Sequence, residues 1–168
     1  MSAAHRTATH TSRAGLALRG LTATALLVDA VVHIHLAPGY QLSAPSGIGA
    51  GNLFRLEAAV AIAAALLVLI RGSRTSYAVS LLVASSALAA VLLYRYVNVP
   101  AFGPLPAMYE PVWFLEKSLS AVAEAMGAIV AGAALLWAGH PRQQPLSDRS
   151  ARDPVPRAGA QEQFLPPS

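Results

Sequence analysis

Six residues, Asp29, His33, Glu57, Arg95, Glu116 and Glu124, have side chains that could do chemistry inside an otherwise apolar chain. Carboxylates and an imidazole can pass protons or hold a metal ion, and a guanidinium can balance one of the acids. Spacing decides which of them can meet. Asp29 and His33 stand four residues apart and share a helical face with Thr22. Glu116, Ser120, Glu124, Gly127 and Ala131 fall on a stripe about 80° wide at about 100° per residue. Leu115, Leu119, Val122, Met126, Ile129 and Val130 take the other side of that helix. Glu57 shares a face with Ala61, Ala64, Ala65 and Val68, and Arg95 is the one deep-facing charge of its segment.

The six are expected to line a polar pocket. The competing expectation is an ion-pair network that fixes the helices, with Arg95 on Glu57 or Glu116 and Asp29 on His33. The acids outnumber the cations, so a surplus carboxylate must be hydrated, protonated or metal-bound. Arg55 and Lys117 are expected to point away and reach the headgroup region. His33-Ile-His35 resembles a metal-binding pair, but in a helix the two rings diverge by about 200°. A metal, if held, would sit on His33 with Glu57, Glu116 or Glu124. Haem held by two histidines needs them on facing helices, and only one segment supplies any. No cofactor is predicted.

These side chains must be positioned by long apolar segments. The chain has 168 residues, of which 55% are hydrophobic and 12% charged. Its mean hydropathy is +0.49. A soluble domain carries about 25% charged residues. The deficit argues against a soluble enzyme, a disordered protein and a nucleic-acid binder, and for an integral membrane protein. The formal charge of +4 sits in flanks and one turn without interleaved aromatics, which reads as topology rather than nucleic-acid binding. Cysteine is absent, which removes disulfides, thiolate metal sites and a cysteine nucleophile. Lysine occurs only at Lys117, and Ala, Gly and Pro abound, as in a GC-rich bacterial genome.

Four spans are predicted, over 15–37, 53–70, 76–97 and 112–138, each near the roughly 20 residues that cross a bilayer. They are far too long for barrel strands, so the fold class is all-α, a four-helix transmembrane bundle. A polar, basic tail over 1–14 precedes the membrane domain (15–138). A Pro-, Gln- and Arg-rich tail over 139–168 follows it and is expected to be disordered. Arg19 and Asp29 interrupt the first span and no A-x-A site follows it, so cleavage as a signal peptide is not expected.

Orientation follows from charge. The two tails, Arg19 and the Arg71/Arg74 turn hold nine arginines against three acids, whereas the other two loops hold only Glu110. The positive-inside rule places both termini in the cytoplasm. Asp29 then lies about 12 Å below the outer end of span one, and Glu124 about 18 Å below that of span four. An ionisable group at such depth costs several kcal/mol unless paired or wetted, about 3 by insertion scales.

Tyr40, Tyr94, Tyr96, Tyr109 and Trp113 gather at the outer interface as an aromatic belt, and Trp137 marks the inner one. Ala61-x3-Ala65 and Gly127-x3-Ala131 are helix-packing patterns. The Gly47-Ile-Gly49-Ala-Gly51 run reads as a flexible turn rather than a phosphate cradle. No Walker loop, GxSxG, HExxH or GxGxxG occurs.

At Asp29-Ala-Val-Val-His-Ile-His-Leu-Ala-Pro-Gly-Tyr40 and Asn52-Leu-Phe-Arg-Leu-Glu57 the chain resembles small four-span membrane proteins of actinobacteria. The shared features are a His-Leu…Tyr close to span one, a Leu-Phe opening of span two and an acid in span four, across roughly 16–138. The resemblance implies a lineage and no activity. The span plan is also similar to that of the broad DoxX-like group, in topology alone.

Two functions follow as expectations. The main one is a non-enzymatic accessory or structural subunit, its polar cluster setting helix packing or partner docking. The alternative is a ligand-, proton- or metal-handling protein that uses an outward-facing pocket. An enzyme is least supported, since no nucleophile–base or cofactor signature is present. The expected partners are the lipid bilayer and a membrane protein or second copy, with no nucleic acid. The expected location is the bacterial plasma membrane.

Overall fold

The structure is a computed structural model and describes residues 13–138. The disordered-tail expectation for 139–168, and all but the last two residues of the N-terminal tail, lie outside the described residues. Four helices follow in order: α1 (Arg13–Ser43), α2 (Ala50–Arg71), α3 (Arg74–Tyr96) and α4 (Leu115–Ala138). No strand occurs among the described residues, only isolated bridges at Val99–Met108 and Phe102–Leu105. All four helices are long and apolar enough to cross a membrane, which points to a membrane protein.

Packing supports the same conclusion. The buried core is built of small residues, Ala23, Ala30, Ala58, Ala61, Ala64, Ala65, Ala84, Ala131 and Ala134 among them. Many large apolar side chains face out, Ile70, Leu82 and Leu115 each at least 70% exposed, while few, such as Leu26 and Val68, are buried. A water-soluble bundle does the reverse. Small residues let helix backbones approach where lipid gives no hydrophobic drive for association. Around the bundle the helices follow one another as α2, α1, α4, α3. The α2–α3 seam is looser than its neighbours, and α2 and α4 stand diagonally apart.

The turn between α2 and α3 is short because its two residues cap both helices. Gly72 closes α2 in the left-handed region (φ 53°, ψ 31°), and its N–H donates to the Val68 carbonyl. Ser73 caps α3 by accepting from the Ser76 N–H at 3.2 Å.

At the other end, the prediction that the first helix stops at Ala37 is corrected. Pro38 lies inside α1, which continues to Ser43. An internal proline removes one helical hydrogen bond and crowds the preceding turn. Contacts beyond it hold the helix on course. The Tyr40 ring packs on Phe54 of α2 at 4.3 Å between centroids. The Gln41 side chain accepts from the Asn52 N–H at 3.1 Å. Gly51 lies so close to α1 that a Cβ there would come within 2.2 Å of the Ala37 carbonyl oxygen.

The glycine run is therefore not a slack turn. Gly47 has φ 62°, and a Cβ on it would strike the Pro104 carbonyl oxygen. The Ile48 N–H donates to that same oxygen at 2.9 Å. The second loop thus docks on the first. It also returns to α3, where the Glu110 N–H donates to the Tyr94 carbonyl at 2.9 Å.

Candidate functional site

The interhelical space widens towards the two loops. Residues 105–110 fold over a cavity of about 300 Å³ there. Leu36, Leu53, Leu56, Val91, Met108 and Phe114 form much of its wall. His33, Glu57, Ser86, Lys117 and Ser120 contribute polar groups. The volume is at the small end of the ligand-pocket range of about 300–1,000 Å³.

Beneath the wall, α1 and α4 bring Asp29, His33 and Glu124 together. All three are buried, and one ligand-capable atom from each lies within 4.8 Å of the others. The geometry follows from helix pitch. Asp29 and His33 are one turn apart, so His33 Nδ1 lies 2.9 Å from Asp29 Oδ1. The same nitrogen lies 3.1 Å from the Asp29 carbonyl oxygen. Phe54 meets the imidazole edge-on, with ring centroids 5.1 Å apart. Across the helix interface, Ser120 Oγ lies 2.7 Å from Asp29 Oδ1. It also lies 3.0 Å from Glu124 Oε1, one turn along α4.

Counting protons sharpens the picture. A hydroxyl has one proton and can donate to only one of these two carboxyl groups. The other contact is a hydrogen bond only if that carboxyl supplies its own proton. Glu124 Oε2 and Glu57 Oε1 are buried and have no hydrogen-bond partner. Among the described residues the one ion pair is His33 with Asp29. Each unpartnered buried oxygen costs about 1–3 kcal/mol, more if charged.

Of the six predicted residues, the structure brings three into one cluster and sets Glu57 on the cavity wall beside it. Arg95 and Glu116 do not line the cavity. Arg95 lies over the Tyr96 and Trp113 rings, at 5.2 and 5.9 Å. It makes no ion pair with Glu57 or Glu116 among the described residues. His35 is exposed while His33 is buried, as divergent ring directions require. Arg55 is exposed and donates to Asn52 Oδ1 at 2.7 Å.

Lys117 is the clear correction. It does not reach outward: it is buried, lines the cavity and donates through Nζ to the Glu110 carbonyl. Seven residues separate it from Glu124, which returns a helix to within about 20° of the same face. Glu116, eight residues away, is displaced by about 80°. The signal for Lys117 was thus present in the spacing. Tyr40 and Tyr94 line the cavity instead of serving only as a belt, whereas Tyr96 and Tyr109 are exposed. The role of Tyr40 had no sequence signal, because it depends on α1 passing Pro38.

No family model, curated protein or solved structure matches the chain. Four apolar helices are compatible with a small membrane protein, but no actinobacterial family is shown for the chain.

Proposed function

We propose that the chain is a multi-pass protein of the bacterial plasma membrane that holds a small, largely apolar molecule with one polar end. The observation that carries this reading is a cavity with aliphatic and aromatic walls and a floor that presents His33, Glu57 and Ser120. Apolar walls supply affinity and a few convergent polar groups set orientation. The loose α2–α3 seam borders the cavity through Leu56, Ala87, Ala90 and Val91, which favours entry from the lipid side. Both termini are assigned to the cytoplasm on the arginine bias, so the cavity lies in the outer half of the bilayer.

The test uses the full chain purified in mild detergent at equal folded yield. Ala90→Phe adds a ring at the cavity wall. Mass spectrometry should find an amphiphile that co-purifies with the wild type and is lost from the variant. The same complement on both would overturn the reading. Reporters fused at Gly49 and after Arg152 should report opposite sides of the membrane, and a shared side would overturn the orientation.

A second reading makes the chain a structural or accessory subunit. Its support is the Ser120–Asp29 hydrogen bond, which ties α1 to α4. On that reading Asp29→Asn, His33→Gln and Glu124→Gln each reduce the folded yield in the membrane. On the cavity reading folded protein persists and ligand retention falls.

A further inference from the structure

We propose that Asp29, His33 and Glu124 form a binding site for one divalent transition-metal ion of the zinc class, at the floor of the cavity. The donor set is one imidazole and two carboxylates, which suits zinc and related ions. Calcium prefers six or more oxygen ligands, and magnesium keeps several waters, so neither fits.

The geometry is close to what such an ion requires. Ligand atoms at about 2.0–2.1 Å from a tetrahedral ion stand about 3.4 Å from one another. Here the three donor atoms already lie within 4.8 Å. They come from two rigid helices, with Asp29 and His33 one turn apart on α1 and Glu124 facing them from α4.

One observation beside the donor geometry points to a cation as the ligand. Glu124 is 1% exposed, and its Oε2 has no hydrogen-bond partner. Among the described residues His33 alone pairs with these acids, and no lysine or arginine does. Lys117 is held at the loop end by the Glu110 carbonyl, and Arg95 lies over aromatic rings. Glu57 adds a further acid nearby rather than a counter-charge. A dication on two carboxylates and a neutral imidazole leaves the trio with no net charge, which a membrane interior favours.

Without the ion, Nδ1 of His33 donates to Asp29, whose carbonyl can only accept; binding there releases that proton to water, and the neutral ring keeps its proton on Nε2. The three protein ligands leave a fourth position. His33 and Ser120 both reach the cavity wall, so that position is served from the cavity. His33 is the one ligand of the three that lines the cavity, so that is the side from which the ion is expected to enter. It does not depend on the amphiphile reading, and the two can fail separately.

The experiment uses the full chain in detergent, stripped with a chelator and dialysed. Zn2+ is titrated by calorimetry, and Co2+ is followed by its visible d–d absorption. One saturable equivalent and a tetrahedral Co2+ spectrum are expected for the wild type. Asp29→Asn and Glu124→Gln should each remove that equivalent, beyond the roughly 10–100-fold loss typical of outer-shell changes. Glu116→Gln and His35→Gln should keep it. Should a ligand variant fail to fold, the wild-type titration still decides. No saturable equivalent on folded wild type overturns the site, as does retention of the full equivalent by Glu124→Gln. A helix-melting temperature that rises with Zn2+ in the wild type and not in Asp29→Asn would confirm that the ion bridges α1 and α4.

Discussion

The two halves of α2 meet different surroundings. Its C-terminal half buries Ala61, Ala64, Ala65 and Val68 against neighbouring helices with almost no exposure. Its N-terminal half presents Leu53, Phe54, Leu56 and Glu57 to a cavity. One helix thus serves a closed seam and an open one. The difference lies in side-chain size. Alanines let backbones approach until the space is filled, whereas larger side chains hold the helices apart and leave room that only some of them fill.

The contrast makes its largest prediction for added volume. Ala65→Leu inserts three carbons at a fully buried position and should cost about 1–3 kcal/mol, lowering the melting temperature in detergent. Ala90→Leu places the same carbons beside the cavity and should leave the melting temperature nearly unchanged. Equal losses at both sites would erase the distinction between the halves.

Two buried serines give a middle-sized contrast. Ser80 Oγ has no hydrogen-bond partner, so Ser80→Ala should be neutral or slightly stabilising. Ser120 bridges two carboxyl groups, so Ser120→Ala should cost about 1–2 kcal/mol by denaturant titration of helix content. If Ser80→Ala proved the more damaging, the polar floor would not be the sensitive part of the bundle.

The smallest effect is expected at the rim. Tyr40 Oη donates to Glu110 Oε2 at 3.5 Å, the outer limit of a hydrogen bond. Tyr40→Phe keeps the ring contact with Phe54 and should shift stability by less than about 0.5 kcal/mol. A larger loss in the melting curve would mean that the loop over the cavity depends on that hydroxyl more than its distance allows.

The comparison also separates what the sequence could reveal from what it could not. Periodicity fixes which residues of one helix share a face, so the stripe Thr22, Asp29 and His33 and the stripe Ala61, Ala64, Ala65 and Val68 were legible. Lys117 is legible too, at seven residues from Glu124, but a charge near a helix end ordinarily reaches for the headgroups, which hides that signal. Pro38 looked like a stop because its local cost is plain, while the contacts that outweigh it come from α2. Which helices are neighbours, and where the space between them opens, depends on pairing across the bundle. That is why Glu116 and Arg95 looked as suited to the pocket as Glu57 did.

The alanine core has a consequence in entropy. An alanine side chain has no rotamers to lose, so where α1 packs through alanines against α2 and α4 little side-chain freedom is ordered. The leucines and isoleucines on the outside keep much of theirs. The closed half can therefore be rigid in its backbone while its lipid-facing surface stays conformationally mobile, and order parameters measured on alanine and leucine methyl groups should divide along that line.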